Sequence, residues 1–334
     1  MTNLPQDEMI DQAGALTTSQ WSKVKRFVAE WPEFGILAAL LVTVLCFSIV
    51  DSAFFSGYNF INICLQASVT AILAMAQTTV IITAGIDLSI GSAVALTAIV
   101  SGLLMKAGMP IPVAMLGSLT AGALAGLFNG IIITTTGITP FVVTLGTMSV
   151  FSGLALIFAN GQTVYGLPPN FSDILAGKIE FVPIPVLIAL IVLAVLTIML
   201  RTTKLGEYLV AIGGAREVAR LAGIKVAIYT AFAYVIASSL AAVAAMITVA
   251  RLGAADPIIG ADLLLPSVAA AVMGGADLMG GKGSMLGAVF GALLIATLQA
   301  GLTFLNVQAF YQQLAIGIVI ILALLFNRLQ DVRT

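Results

Sequence analysis

Apolar residues run along this chain in long blocks separated by short polar breaks. A helix that crosses a bilayer needs about 20 mostly apolar residues. Blocks near that size fall at roughly 34–54, 61–84, 88–105, 112–135, 140–159, 184–200, 226–250, 264–280, 284–305 and 310–326. The pattern predicts an all-α polytopic membrane protein of about ten transmembrane helices, with the weakest separations at Asp87 and Gly280. An eight-span arrangement with re-entrant segments fits the same pattern. Residues 1–33 then form an N-terminal cytoplasmic or interfacial segment, 34–327 the transmembrane domain, and 328–334 a cytoplasmic tail. In "WSKVKRFVAEW", Trp21, Val24, Val28 and Trp31 share one helical face while Lys23, Lys25 and Arg26 lie elsewhere. That spacing suits an amphipathic helix on the membrane surface, and a disordered tail is the other reading.

Composition turns this pattern into a membrane assignment. Of 334 residues 60% are hydrophobic and 9% charged, against about 25% charged in a soluble domain. A net charge of −1 argues against a nucleic-acid partner. Cys46 and Cys64 imply neither a disulfide framework nor a metal site. With no histidine in the chain, the commonest general base is missing, and neither catalytic nor metal-ligating residues are expected. The polar first twenty residues lack the form of a cleavable signal peptide.

Orientation follows from the basic residues. With both termini cytoplasmic, the inner segments hold eleven Lys and Arg and the outer ones only Lys106, Lys178 and Arg251. That asymmetry is the positive-inside signature. Gly122, Gly126 and Gly130 form GxxxGxxxG in the fourth span, and Gly283, Gly287 and Gly291 repeat it in the ninth. Such glycines permit close helix approach. The echo suggests an inverted repeat of spans 2–5 on spans 7–10, although glycine is common enough here for chance to produce it.

"GADLMGGKGS", Gly275 to Ser284, resembles a phosphate-binding loop only superficially. Ala276 stands at its first position and Gly283, not Ser or Thr, follows Lys282, so no nucleotide site is expected. The long polar connector from Arg201 to Val226 breaks at Gly213-Gly214 before a short helical run. It is either a solvated link or a docking element for a soluble partner.

These segments carry a resemblance. "GIDLSIGS", "GLFNGIIIT", "TPFVVTLGTMSVFSGLAL", "AIGGAREVARLAGIKV" and "GGADLMGGKGSMLGA" occur in consistent order across residues 36–327. The chain thereby resembles the permease subunit of ATP-binding-cassette importers for monosaccharides, of the ribose, arabinose and xylose type. The resemblance implies a multi-pass protein of the bacterial inner membrane. It also implies as partners a cytoplasmic ATPase carrying ATP and Mg, a periplasmic sugar-binding protein, and a second permease subunit, identical or similar. Glu217, Val218, Ala219 and Gly223 fit the family's E-A-A-x-x-x-G coupling segment, with Val218 in place of its first Ala. Arg216, Glu217, Ala219, Arg220 and Gly223 are then the expected ATPase contacts. "ADLLLPSVAAAVMGG", Ala261 to Gly275, departs from the acidic segment of many members. Ribose is thus not favoured over other pentoses, deoxyhexoses or polyols.

A neutral hydroxylated solute needs polar groups along its path. Candidates are Gln66, Asn129, Thr139, Thr144, Gln299 and Asn306, each of which can instead satisfy a neighbouring carbonyl. Pro140 marks a break between the fourth and fifth spans. An ion-coupled secondary carrier is the alternative class, and an intramembrane enzyme lacks the necessary side chains. Asp87 lies between uncharged runs, Ser52–Ile86 and Leu88–Met105. Its favoured role is an N-cap for the third span, after the second stops in a left-handed turn at Gly85, with Ser89 in the same break. Contact with sugar or with the ATPase is the other possibility.

Overall fold

In the computed structural model, residues 33–308, 310–318 and 321 are described. The helices are α1 (Phe34–Val50), α2 (Gly57–Ile81), α3 (Ile90–Lys106), α4 (Ile111–Thr136), α5 (Pro140–Phe158) and the short α6 (Pro169–Ala176). After a two-stranded hairpin, β1 (Lys178–Ile179) and β2 (Val182–Pro183), follow α7 (Ile184–Thr202), α8 (Lys204–Gly214) and α9 (Arg216–Leu221). The chain continues through α10 (Val226–Leu252), α11 (Leu264–Met273) and α12 (Met285–Phe304), and residues 310–318 are again helical. The amphipathic segment around Trp21 and the tail beyond 328 lie outside the described residues.

Helix ends follow local chemistry. Ser56, Thr203 and Ser284 cap α2, α8 and α12 by accepting from the N–H of Asn59, Gly206 and Gly287. Proline stands in the first turn of α4, α5 and α7, where its missing N–H costs no helix bond.

Among the described residues six helices are long and apolar enough to cross a membrane: α2, α4, α5, α7, α10 and α12. Helices α1 and α3, and the segment Ala261–Met273 that contains α11, are apolar but shorter. The expected span at 264–280 stops at Met273, because Gly275, Gly280 and Gly281 take left-handed conformations and turn the chain. The last expected span runs past the described residues.

The core is built on α2, α3, α4, α10 and α12. Helix α4 packs most extensively on α10, and α12 on α2. The contact is close because a Cβ on Gly122 would sit 2.5 Å from the Ser238 carbonyl oxygen, and one on Gly126 would run into the Tyr234 carbonyl. Gly126→Ala is therefore expected to force the helices apart. The cost should be about 1–3 kcal/mol, read as a lower unfolding midpoint in detergent, whereas an unchanged midpoint would refute the tight packing. The glycines of α12 behave differently. Gly287 and Gly291 lie against Gly274 and Ala270, at the end of α11, and Gly283 precedes the helix. The two glycine motifs thus serve different neighbours and are not equivalent contacts.

A better echo is visible in the pairings. Helices α3 and α4 pack together as α11 and α12 do, and α10 contacts α3 as α2 contacts α11. Exchanging α2 with α10, α3 with α11 and α4 with α12 maps each pairing onto another. The breaks before α3 and α11 share G-x-D-L-x-x-x-S: Gly85, Asp87, Leu88 and Ser92 in one, Gly260, Asp262, Leu263 and Ser267 in the other.

Candidate functional site

The break between α2 and α3 is where the buried polar chemistry gathers. Helix α2 stops at Ile81, and the left-handed residue is Ala84, with φ of 59°, not Gly85 as the sequence suggested. Gly85 is needed for room instead: a Cβ there would lie 2.6 Å from the Tyr234 hydroxyl and 3.2 Å from the Val80 carbonyl oxygen. Asp87 is not the N-cap either. Ser89 holds that position in α3, and Asp87, two residues earlier, closes the turn that leads into it. Its Oδ1 accepts from the Ser89 N–H at 2.8 Å and from the Ser89 hydroxyl at 2.6 Å. The capping idea thus survives as an Asx turn, because a side chain two residues ahead can reach the same N–H.

Other helices tie this turn down. Asn129 on α4 donates to the Ser89 hydroxyl at 2.8 Å, and Gln77 on α2 donates to the Asp87 carbonyl at 2.7 Å. Thr144 on α5 donates to the Ile86 carbonyl at 3.1 Å and to that of Pro140 at 2.9 Å. Asp87, Asn129 and Thr144 are fully buried. Among the described residues four atoms of the cluster lack a hydrogen-bond partner: Asp87 Oδ2, Gln77 Oε1, Asn129 Oδ1 and the Tyr234 hydroxyl. Of the expected pathway residues, Asn129 and Thr144 therefore belong to the scaffold of this turn. Gln66 is exposed on α2, Thr139 is exposed at the N-cap of α5 just before Pro140, and Asn306 sits in the turn after α12. Gln299 on α12 borders a cleft with Asp262. Gln77 and Tyr234 escaped sequence reasoning, since a lone polar residue inside an apolar helix carries no spacing signal.

The same turn meets the polar connector at a junction of backbones. The Gly281 N–H donates to the Ile82 carbonyl at 2.8 Å. A Cβ on Gly213 would run into that Ile82 carbonyl and the Gly281 nitrogen, and one on Gly280 would lie 2.7 Å from the Ala84 nitrogen. Three segments distant in sequence, 82–84, 213–214 and 280–281, meet without intervening side chains. Beyond the junction stands α9. Ala219 buries its inner face against Ile212 and Val226, whereas Val218 and Leu221 are 64% and 83% exposed. Arg220 and Glu217 pair at 2.8 Å on the exposed surface, a contact that contributes little to stability. Gly223 ends this segment with φ of 84° and no neighbour near its Cα hydrogens. The arrangement presents a small, partly apolar knob held rigidly on the transmembrane core.

Helix α12 begins next to the junction, but its N-terminus is already used. Ser284 caps it and donates its hydroxyl proton to Glu33 at 2.6 Å.

Residues 59–324 match the family described as the branched-chain amino acid transport system / permease component. The D-allose transport system permease protein of Escherichia coli K12 is 35% identical over 305 residues, 91% of this chain and 94% of that protein. The ribose import permease protein of Escherichia coli K12 is 38% identical over 317 residues, 93% and 99% of the two chains. That of Bacillus subtilis 168 is 36% identical over 299 residues, 89% and 92%. No solved structure gives a significant match. The matched stretch runs through the Asp87 turn, the α9 knob and the glycine junction, and the chain belongs to this family of transport-system permeases.

Proposed function

We propose that the chain is the membrane permease of a binding-protein-dependent ATP-binding-cassette importer that carries a monosaccharide or related polyol inward. The single observation that carries the reading is the α9 knob, exposed at Val218 and Leu221 and locked to the core through the Gly213 junction. Such a knob can transmit the movement of a soluble ATPase to the transmembrane helices. ATP and Mg belong to that ATPase, with Arg216, Glu217, Ala219, Arg220 and Gly223 at the contact. A periplasmic sugar-binding protein delivers substrate, and a second permease subunit completes the pore. The sugar assignment is supported by relatives named for D-allose and ribose import.

In this reading both termini are cytoplasmic in the inner membrane. Of the ten apolar segments, spans 2–5 recur inverted as spans 7–10, an arrangement supported by the exchange of packing partners and by the paired G-x-D-L-x-x-x-S breaks. Single cysteines at Lys178 and Arg216, in a background without Cys46 and Cys64, test orientation. Lys178→Cys is expected to react with an impermeant reagent from outside and Arg216→Cys only from the cytoplasmic face; the reverse would overturn the topology.

The test of function is uptake of radiolabelled D-ribose and D-allose by the complex reconstituted with its ATPase and binding protein. Uptake should require ATP inside and persist when ion gradients are collapsed. A carrier that ran on an ion gradient without the ATPase would be the secondary-carrier alternative, and uptake of neither sugar, nor of any other pentose, deoxyhexose or polyol, would refute the sugar assignment. Gly223→Val with Glu217→Arg should leave the subunit in the membrane but uncouple transport. The left-handed residue becomes strained by roughly 1–2 kcal/mol, and the contact charge reverses. Normal substrate-stimulated ATP hydrolysis in that double variant would exclude α9 as the coupling element.

A further inference from the structure

The counterpart of the sealed Asp87 break is open. Helix α10 leaves the connector that holds α9 and runs 27 residues to Leu252, about 40 Å at 1.5 Å per residue. The next segment therefore starts at the opposite end of the molecule. It does not stay there. Ala255 lies against Gly102 near the end of α3, and Gly260 lies against Gly91 in its first turn. Non-helical chain thus descends alongside α3 before α11 begins, which is tolerated at membrane depth only where it is buried or lines a cavity.

A cavity is present there. Asp262, Leu265 and Pro266 form one wall of a cleft of about 330 Å³, and Gln299, Gln312 and Gln313 form the other. The amides converge because α12 ends at Phe304 and Asn306 turns the chain with φ of 55°, returning the next helix alongside α12. Gln312 is fixed by donating to the Thr303 hydroxyl at 3.2 Å and to the Val307 carbonyl at 2.8 Å. Among the described residues, the side chains of Asp262, Gln299 and Gln313 make no hydrogen bond. Amides and a carboxylate without partners are costly against hydrocarbon, so this surface is wet or occupied.

From this we infer that the Asp262–Gln299–Gln313 cleft is the sugar-binding stretch of the translocation path, which deepens the importer reading and rests on it. The lining chemistry selects the ligand class. Among the described residues no Lys or Arg lines the cleft, which disfavours anions, and the one carboxylate among them is too few for a divalent cation held by protein oxygens. Amides both donate and accept, and the carboxylate accepts, which matches the paired donors and acceptors of a neutral polyol. The volume falls within the roughly 300–1,000 Å³ of small-ligand sites. The two related breaks therefore divide the work: the Asp87 break is closed by Ser89 and Asn129, and the Asp262 break faces substrate.

The test uses the complete reconstituted complex with Cys46 and Cys64 replaced. Gln299→Cys and Gln313→Cys should react with a charged, membrane-impermeant thiosulfonate, whereas Leu190→Cys on the exposed apolar face of α7 should not. Reaction should be slowed by whichever of D-ribose or D-allose the unmodified complex takes up, and uptake should then fall. Gln299→Leu should reduce uptake about tenfold while leaving ATPase binding intact, since it removes hydrogen-bonding groups from the half-buried wall of an open cleft. A Gln299→Cys that stays inert, or that reacts with no loss of uptake, would overturn the cleft assignment. The importer reading would survive that result, because it needs only ATP-dependent uptake by the unmodified complex.

Discussion

Gly213→Val should abolish uptake, and the adjacent Gly214→Ala should not. At Gly213 a side chain would collide with the Ile82 carbonyl and the Gly281 nitrogen, both backbone atoms of other segments. Backbone cannot rotate aside as a flexible side chain can. The turn 82–84, the loop 280–281 or α8 itself has to move, at a cost of about 3 kcal/mol or more. That displaces the α9 knob from the core and lets the Asp87 turn loosen. At Gly214 nothing lies within 4 Å of the added methyl, so alanine is accommodated. The measurement is ATP-dependent uptake beside the amount of ATPase retained on purified permease. Full uptake by Gly213→Val would show that the junction does not couple the two parts.

Asp87→Ala should be nearly as damaging, and Asp87→Asn mild. Alanine removes the acceptor of the Ser89 N–H and of the Ser89 hydroxyl, and the hydroxyl is also the acceptor for Asn129. Each group left buried without a partner costs about 1–3 kcal/mol, so the whole turn is at stake. Asparagine keeps the Oδ1 acceptor and removes the charge. It also brings an N–H donor into a cluster where Gln77 Oε1 and Asn129 Oδ1 have none. Assembly and uptake are therefore expected to survive in Asp87→Asn and to drop together in Asp87→Ala. If asparagine abolished uptake while expression and ATPase binding stayed normal, the charge itself would be functional and the structural role would be wrong.

The outcome at Asp87 illustrates how far the sequence could be read. An aspartate just ahead of a helical block is legible as a cap, because capping depends on atoms a few residues apart. Its exact register was not. Whether Asp87 or Ser89 occupies the N-cap depends on where α3 packs against α4 and α5, through Asn129 and Thr144. The identity of the left-handed residue shifted for the same reason: Tyr234, which lies 149 positions on, fills the space above Gly85 and fixes why that residue is glycine.

The chain's own sequence determined that it is an apolar helical membrane protein, where most helices begin and end, and which connector is long and charged. These properties are set by hydrophobic runs, caps and prolines, which act over one or two helical turns. Tertiary structure decided which glycines touch backbone, that Asn129 and Thr144 serve the scaffold, and that Gln299 meets Gln312 and Gln313 across a cleft. Close approach is a property of two segments at once, and nothing in either segment alone names its neighbour. The likeness of the two breaks lies between these cases. Its G-x-D-L-x-x-x-S signature was present in the sequence throughout, but GADL occurs twice, at 260–263 and at 275–278. Only the packing of α11 against α2 and α12 shows which copy answers to Asp87.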